Sequence, residues 1–378
     1  MENIYEQLGL QRVINASGRM TKLGVSTVSP EVAQAVVEGA SNYVVIDDLL
    51  KAAGQQIGAM IGTPDVCVTS SASAGIALTV ASLICGSSLQ RVQHLFDILP
   101  HTPRREVILL KGQNVDFGAP IAEMIQLGGG EVVEVGYANG SKPDDIRAAI
   151  CERTLAVFFV QSHHCVQKEM VRVAEAITVA AEAGVPCIVD AAAEEDLCCY
   201  IAMGADFVCY SGAKAIEGPT SGMVACRTTQ LADNLRLQYK GIGRAMKVGK
   251  EGIVGLMKAI QLYTTRERVF AVSNEALRQF AAAVADIPGC TTSLVQDEAG
   301  RAIYRCKIAI DPERYGMDAC ELVRQLQQGS VAIFTRDYQM KNGSIAIDPR
   351  PLNGTEELDI ICQRLWQLSK GGIPNAKT

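Results

Sequence analysis

The chain has 378 residues, 48% of them hydrophobic and 5% aromatic, and 35 basic against 41 acidic residues give it a formal net charge of −6. Proteins whose main partner is nucleic acid usually carry a basic surplus, so this balance argues against such a partner and favours a small-molecule ligand. No apolar run reaches the roughly 18 residues of a membrane span, and the N-terminus is acidic from Glu2, so we expect neither a membrane segment nor a secretion signal.

Seven apolar runs predict β-strands, and stretches with helical spacing separate most of them. The runs are 66–69, 107–110, 131–135, 155–160, 186–189, 206–210 and 222–226. One helix is predicted over 143–150, where proline and acidic residues begin it, and another over 170–183, where Gly184 ends it. Continuous apolar strands separated by helices predict an α/β domain with a mostly parallel sheet covered on both faces.

The pattern changes near residue 265. The elements predicted beyond this point are a long helical stretch over 256–287, strands over 302–310, 331–334 and 344–347, and helices over 318–328 and from Glu356. This combination predicts a small α+β domain. We therefore expect two domains: residues 1–265, with the N-terminal segment and the large sheet, and residues 266–378.

Lys214 stands in a run of small residues, Ser211-Gly212-Ala213-Lys214, directly after a predicted strand, and Asp190 ends the strand before it. A lysine with space around it and an acid at the end of a neighbouring buried strand are the groups that pyridoxal-phosphate enzymes use. The lysine binds the cofactor covalently and the acid pairs with the pyridinium nitrogen. The alternative is a solvated lysine and an aspartate that caps a helix.

A third segment, Ser71-Ala72-Ser73, runs from a predicted strand into an apolar helix. The N–H groups and the positive end of that helix favour a phosphate, and the hydroxyls add donors. An ordinary serine-rich helix cap would have the same sequence. Because ligands of parallel sheets bind at the carboxyl ends of the strands, where Asp190 and Lys214 also lie, we interpret the segment as the phosphate site. Ser211 is a further candidate donor.

The order of these motifs resembles that of the fold type I pyridoxal-phosphate-dependent transferases, and within them the selenocysteine-synthase-like group. The likeness covers nearly the whole chain and includes the segments 12–18, 43–48, 243–250 and 348–352. Inside the group, the chain is similar to the ammonia-lyases that act on D-glucosaminate 6-phosphate.

The resemblance implies a lyase that eliminates water and then ammonia from a 2-amino-3-hydroxy sugar acid phosphate, giving a 2-keto-3-deoxy acid phosphate. Lys214 is then the cofactor anchor and also the base that removes the α-proton. The resemblance also implies a homo-oligomer, a dimer at least.

The alternative within the same group is a selenocysteine-synthase-type transferase that acts on seryl-tRNA. Those enzymes carry an N-terminal extension that binds the RNA, whereas the shared motif here begins at Arg12. The negative net charge agrees with this difference. We therefore expect no nucleic-acid partner.

Four further residues are candidate substrate contacts. Arg350 lies in the small domain, where the resemblance implies an arginine that binds the substrate carboxylate. Arg244 and Lys250 lie in a basic, glycine-rich loop that suits a sugar phosphate or a neighbouring subunit. His163 follows the strand that ends at Val160. The alternatives are a strand-end arginine, a solvated basic face and an ordinary loop histidine.

Histidine and cysteine usage argues against a metal site and against secretion. There are four histidines, and no carboxylate or thiol stands at a recognised ligand spacing. The thirteen cysteines are odd in number and irregularly spaced, and many lie inside apolar strands, where thiols behave as small hydrophobic groups. We expect a cytoplasmic protein.

Overall fold

A computed structural model describes residues 4–116, 118–162, 164–266, 270–297 and 303–370. The chain divides into two units, which we call the large unit, Thr27–Glu267, and the small unit, Met1–Ser26 with Arg268–Thr378. None of the helices in the described ranges combines the length and the apolar composition needed to span a bilayer.

The strands fall close to the positions that the apolar runs predict, with two additions. The strands are β1 Arg12–Ala16, β2 Asp65–Thr69, β3 Glu106–Leu110, β4 Glu131–Val135, β5 Thr154–Val160, β6 Cys187–Asp190, β7 Phe207–Ser211, β8 Gly222–Cys226, β9 Cys290–Gln296, β10 Tyr304–Ile310, β11 Val331–Thr335 and β12 Ser344–Ile347. The additions are β1 and β9, which the sequence analysis did not identify.

The helices cover both faces of the large sheet and pack around the small one. They are α1 Ile4–Gln7, α2 Pro30–Ser41, α3 Ile46–Ile61, α4 Ala72–Cys85, α5 Leu89–Gln93, α6 Leu95–Ile98, α7 Ile121–Leu127, α8 Pro143–Ala149, α9 Val173–Glu182, α10 Cys199–Ala202, α11 Thr229–Leu237, α12 Lys250–Thr265, α13 Asn274–Ala285, α14 Pro312–Tyr315, α15 Ala319–Leu326 and α16 Thr355–Leu368.

The large unit is built on one seven-stranded sheet in the order β2-β8-β7-β6-β5-β3-β4. All neighbouring pairs are parallel except those of β8, which runs antiparallel to β2 and β7. Successive residues of one strand enter different cores: Phe158 packs in one hydrophobic cluster, and Val157 and Phe159 pack in the other. The predicted α/β class with a mostly parallel, doubly covered sheet therefore agrees with the structure.

The small unit contains an antiparallel sheet in the order β12-β10-β9 and a parallel pair of β1 with β11. The pair runs from Arg12 opposite Val331 to Ala16 opposite Thr335. This long-range pairing attaches the N-terminal segment to the small unit, whereas the sequence analysis placed it with the large domain. The division into residues 1–265 and 266–378 stays a prediction.

The helix predicted over 256–287 is wrong in its continuity, because two helices occupy the region. Helix α12 ends at Thr265, and Ser273 begins α13 by accepting the Ala276 N–H at 3.1 Å. A serine at a helix start satisfies an N–H group that the first turn leaves without a partner. Three charged residues, Arg266, Glu267 and Arg268, follow α12 in the sequence and interrupt the apolar spacing.

Gly54 of α3 provides a stability test of the large unit. A Cβ atom at this position would lie 2.0 Å from the Val66 carbonyl oxygen of β2, so the helix and the strand would have to separate. We expect Gly54→Ala to lower the free energy of unfolding by about 1–3 kcal/mol, as measured by urea denaturation. In Gly252→Ala, the matched control, the nearest atom is a Val248 methyl group at 3.3 Å. Equal losses in the two variants would contradict this packing.

Candidate active site

The segment from β2 into α4 is held by three hydroxyl groups. Ser71 caps α4 by accepting the Ala74 N–H at 3.0 Å, Thr69 donates to the Ser71 carbonyl at 2.8 Å, and Ser70 donates to the Met246 carbonyl at 2.9 Å. An N-cap serine accepts with a lone pair and keeps its own proton for a ligand. The capping role and the predicted phosphate role of Ser71 are therefore compatible.

The start of α4 suits a phosphate group. The helix has 14 residues, and the N–H groups of Ala72 and Ser73 belong to the first turn, which offers its amides to anions. Ser71 and Ser73 are half-buried, while Ala72 is 9% exposed. The three predicted cup residues thus lie together at one helix start, which could hold the phosphate of a cofactor.

A glycine allows the neighbouring strand to approach this helix start. A Cβ atom on Gly222, at the beginning of β8, would lie 2.3 Å from the Ser71 carbonyl carbon and 2.5 Å from the Ala72 nitrogen. Only glycine fits this contact without displacing the first turn of α4. The sequence analysis treated Gly222 as an ordinary strand residue, since the helix start that it contacts lies far earlier in the chain.

Asp190 ends β6 in the middle of the sheet, opposite Val160 on one side and Cys209 on the other. The residue is 8% exposed, and its Oδ1 accepts the Ala192 N–H at 3.1 Å. Burial raises the pKa of Asp190, and the charge of Lys214 and the Ala192 N–H partly oppose this shift. The position therefore favours a cationic partner for the carboxylate, such as a protonated pyridine nitrogen.

Two buried thiols lie close enough to Asp190 to sense its charge. Burial raises the pKa of Cys165 to about 12, and the Asp190 charge adds to the shift. The pKa of Cys209 is also raised, by burial first and by Asp190 second. Thiols in this state stay protonated and serve as apolar surface rather than as nucleophiles.

Lys214 lies half-buried in the tight loop between β7 and β8. The Gly212 N–H donates to the Ser221 carbonyl at 2.9 Å, and the Gly218 N–H donates to the Gly212 carbonyl at 2.8 Å, so the loop closes on itself. The Ser211 N–H donates to the Ala192 carbonyl at 3.2 Å, two residues after Asp190. The lysine loop and the acid are thus joined through the backbone, and the Lys214 charge lowers the pKa of Asp190.

The candidate substrate residues of the large unit are placed differently from one another. Arg244 is exposed in a 3₁₀ turn, Ile242–Met246, whose last residue accepts the bond from Ser70. Lys250 donates to the Ala40 carbonyl at 2.6 Å and also to Asn42, so it stabilises the end of α2. His163 lies outside the described residues.

Arg350 lies in the small unit and is held by a neighbouring acid. Its Nε donates to Asp348 Oδ1 at 2.9 Å and its Nη2 to Asp348 Oδ2 at 2.6 Å. The sequence analysis named Arg350 but did not identify Asp348, although an acid two residues before an arginine was a visible signal. The structure therefore shows an oriented guanidinium rather than a solvated strand-end arginine.

Among the described residues, no group of three or more His, Cys, Asp or Glu side chains is arranged to hold a metal ion. The start of α4, a buried acid and a lysine at the carboxyl edge of one sheet match the three polar groups of pyridoxal phosphate: phosphate, ring nitrogen and aldehyde. With the doubly covered α/β sheet, they define a fold type I pyridoxal-phosphate enzyme.

The chain belongs to the SelA family, described as L-seryl-tRNA selenium transferase, which matches residues 13–286. Members of this family and fold class use pyridoxal phosphate, and the residues of the site fit that cofactor. The membership confirms the predicted resemblance to the selenocysteine-synthase-like group.

Two curated relatives match nearly the full chain. The D-glucosaminate-6-phosphate ammonia lyase of Salmonella typhimurium is 43% identical over 97% of this chain and 98% of the relative. The 5'-C-glycyluridine monooxygenase-decarboxylase of a Streptomyces species is 38% identical over 98% of this chain and 93% of the relative. An L-seryl-tRNA(Sec) selenium transferase of Carboxydothermus hydrogenoformans is more distant, 25% identical over 68% of this chain and 57% of the relative.

Solved structures confirm the predicted fold class. A structure of D-glucosaminate-6-phosphate ammonia-lyase is similar to this chain with a TM-score of 0.88 and 42% identity, covering 97% of this chain and 98% of the other. A serine palmitoyltransferase of Sphingomonas wittichii has a TM-score of 0.58 at 12% identity, over 95% of this chain and 87% of the other, and shares the fold alone.

Asp190→Asn should affect thermal stability and turnover in opposite directions. The raised pKa means that the folded apoprotein disfavours the ionised carboxylate, and this cost grows as the pH rises above the ordinary value of 3.8. We expect the apoprotein of Asp190→Asn to melt at a temperature equal to or above that of wild type at neutral pH, with a difference that shrinks on acidification. The loaded variant should lose at least about 100-fold in turnover. A variant that melts lower at every pH would contradict this assignment.

Proposed function

We propose that the protein is a pyridoxal-phosphate-dependent ammonia-lyase whose substrate is D-glucosaminate 6-phosphate. The observation that carries the proposal is the 43% identity, over 97% of this chain, to a lyase named for that substrate. The site supports it, because a lysine, a buried acid and a phosphate cup are the groups that such a reaction requires. The product is the 2-keto-3-deoxy acid phosphate.

The cofactor, when bound, withdraws electrons from the α-carbon of the substrate and so makes its proton acidic. Asp190 keeps the proton on the ring nitrogen, since the buried carboxylate gains a partner for its charge. The N–H groups of Ala72 and Ser73, with the hydroxyl groups of Ser71 and Ser211, hold the phosphate of the cofactor. These contacts would fix the position of the cofactor phosphate, and with it the position of Lys214 relative to a bound substrate.

Lys214 moves the protons of the reaction. Its neutral Nζ takes the α-proton, the C3–O bond breaks, and the resulting ammonium returns the proton to the departing hydroxide, so that water leaves. C3 then takes up a proton, water replaces the nitrogen at C2, and ammonia and the keto acid are released. Arg350 binds the substrate carboxylate, and Arg244, Lys250 and His163 are candidate contacts for the remainder of the substrate.

Replacement of Lys214 tests this function directly. The wild-type enzyme should release equal amounts of ammonia and keto acid from D-glucosaminate 6-phosphate, and Lys214→Ala should lose both the absorbance band of the bound cofactor and the activity. Lys258→Ala is the matched control, because it also removes a lysine but at a position outside the candidate site. Lys258 lies on α12, and its Nζ donates to Gln261 of the same helix at 3.1 Å. It should behave as wild type.

Two further measurements, oxygen uptake and binding of seryl-tRNA, distinguish the lyase from the reactions named for the relatives. Oxygen uptake without ammonia release would favour a monooxygenase, since one full-length relative carries that name. Tight binding of seryl-tRNA would favour the selenium transferase. Either result, with no keto acid formed, would overturn the proposed lyase.

We also propose that the protein is a cytoplasmic homo-oligomer. An apolar patch at the junction of α2 and α3 supports the oligomer: Tyr43 is fully exposed, Val45 is 63% exposed, and Val37, Val44 and Ile46 are exposed beside them. Contiguous exposed apolar surface of this kind marks interaction sites in soluble proteins. The thirteen free thiols support a reducing compartment.

A charge in this patch should disrupt the assembly. We expect Val45→Asp to reduce the mass measured by light scattering after gel filtration to that of a smaller species, because a carboxylate would be buried at the interface. Leu127→Asp, at a residue that is 45% exposed at the end of α7, is the control and should leave the mass unchanged. A monomeric wild-type protein, or an unaltered Val45→Asp variant, would contradict the proposed interface.

A further inference from the structure

A chain of four charged side chains runs through the small unit and ends at Arg350. Asp297, Arg305 and Asp348 are 3%, 2% and 0% exposed, and the Arg350 side chain is 11% exposed. We propose that Arg305 and Asp348 are positioning residues, which hold the Arg350 guanidinium in the one orientation that receives the substrate carboxylate. The inference rests on the proposed function of Arg350.

The hydrogen bonds among these four charged side chains fix one edge of the Arg350 guanidinium. Arg305 donates through Nη2 to Asp297 at 2.7 Å and through Nε to Asp348 Oδ2 at 2.9 Å. The Asp348 carboxylate in turn accepts both Nε and Nη2 of Arg350, at 2.9 and 2.6 Å. The edge formed by Nη1 and Nη2 stays oriented for a ligand, and this edge can bind a carboxylate with two parallel hydrogen bonds.

The N-terminal segment contacts Asp348 and Arg350. Asn15 shapes a turn by accepting the Ser17 N–H at 3.0 Å and donating to the Gly18 carbonyl at 2.9 Å, and the Ala16 carbonyl accepts the Asp348 N–H at 2.8 Å. Gly18 has a φ of +102°, and a Cβ atom there would lie 3.1 Å from Asp348 Oδ2. The motifs 12–18 and 348–352 therefore build one structure.

Electrostatics explains why two arginines are needed. Burial alone would raise the pKa of Asp348, but the hydrogen bonds and charges of Arg350 and Arg305 hold this pKa below its ordinary value. A buried charge that loses one partner is costly, so the carboxylate stays between both guanidinium groups. Arg305 thus prevents Asp348 from turning, and Asp348 prevents Arg350 from turning.

The test uses two ligands that differ only at one end, gluconate 6-phosphate and glucitol 6-phosphate. Calorimetry with the cofactor-loaded enzyme gives their dissociation constants without turnover. We expect wild type to prefer the carboxylate-bearing ligand and Arg350→Lys to lose that preference. Arg305→Lys keeps the charge but cannot bridge two acids, so it should weaken gluconate 6-phosphate binding by roughly 10- to 100-fold and leave glucitol 6-phosphate binding unchanged. Turnover should show a raised KM with kcat within about threefold.

Arg236→Lys is the matched control. Arg236 is also a buried arginine that bridges two acids, Asp65 at 2.7 Å and Asp233 at 2.8 Å, but it lies in the large unit. It should lower the melting temperature without changing the ligand preference. Asp297→Asn, a milder change at the far end of the chain of charges, should give a smaller loss of preference than Arg305→Lys and covers the case in which Arg305→Lys fails to fold.

The outcomes separate the inference from the proposed function. If wild type binds neither ligand and releases no keto acid, the proposed function fails and the inference with it. If Arg350→Lys abolishes the preference while Arg305→Lys and Asp297→Asn retain it, the positioning role alone is overturned. Loss of glucitol 6-phosphate binding in Arg305→Lys would also overturn it, because Arg350 would then serve the phosphate end.

Discussion

The buried charge of Asp190 is the constraint on which the arrangement of the large unit depends. A carboxylate at the centre of a parallel sheet is stable only with a partner, and the Ala192 N–H supplies one hydrogen bond without compensating the charge. Lys214 supplies part of the compensation in the apoprotein. A pyridinium bound beside the carboxylate would complete this compensation, so burial of Asp190 would favour a cationic ligand at this position.

The proposed phosphate cup, in contrast, is built from neutral groups. Three serine and threonine hydroxyls occupy backbone acceptors and donors around the start of α4, and the absence of a side chain at Gly222 lets β8 lie against it. The amide groups are therefore oriented before the phosphate arrives, and little ordering remains to oppose binding. In the proposed roles, anchoring of the phosphate and activation of the ring thus belong to separate parts of one sheet edge.

The sequence predicts those elements whose signal is local. Strands buried on both faces, such as β2, β5, β6 and β8, give continuous apolar runs, and these runs predict the strands and the residues at their ends. Strand β9 reads Cys-Thr-Thr-Ser-Leu-Val-Gln with only Cys290 buried, so no apolar run marks it. The partners of β1 and of Gly222 lie far away in the chain, and spacing alone does not reveal such pairings.

Different residues are proposed to act at the α-carbon and to hold the ends of the substrate, and this separation suggests how one family can serve different reactions. In their proposed roles, Lys214 and Asp190 serve the removal of the α-proton, and this step is useful to a lyase, a transferase or an oxygenase alike. The next step of each reaction depends on which bond of the substrate stands perpendicular to the cofactor plane, and that is decided by groups that hold the substrate at its ends. In this chain Arg350 belongs to the small unit, whose buried network of charges orients it. If Arg350 binds the substrate as proposed, a change at Arg305 or Asp348 alters how that end of the substrate is held.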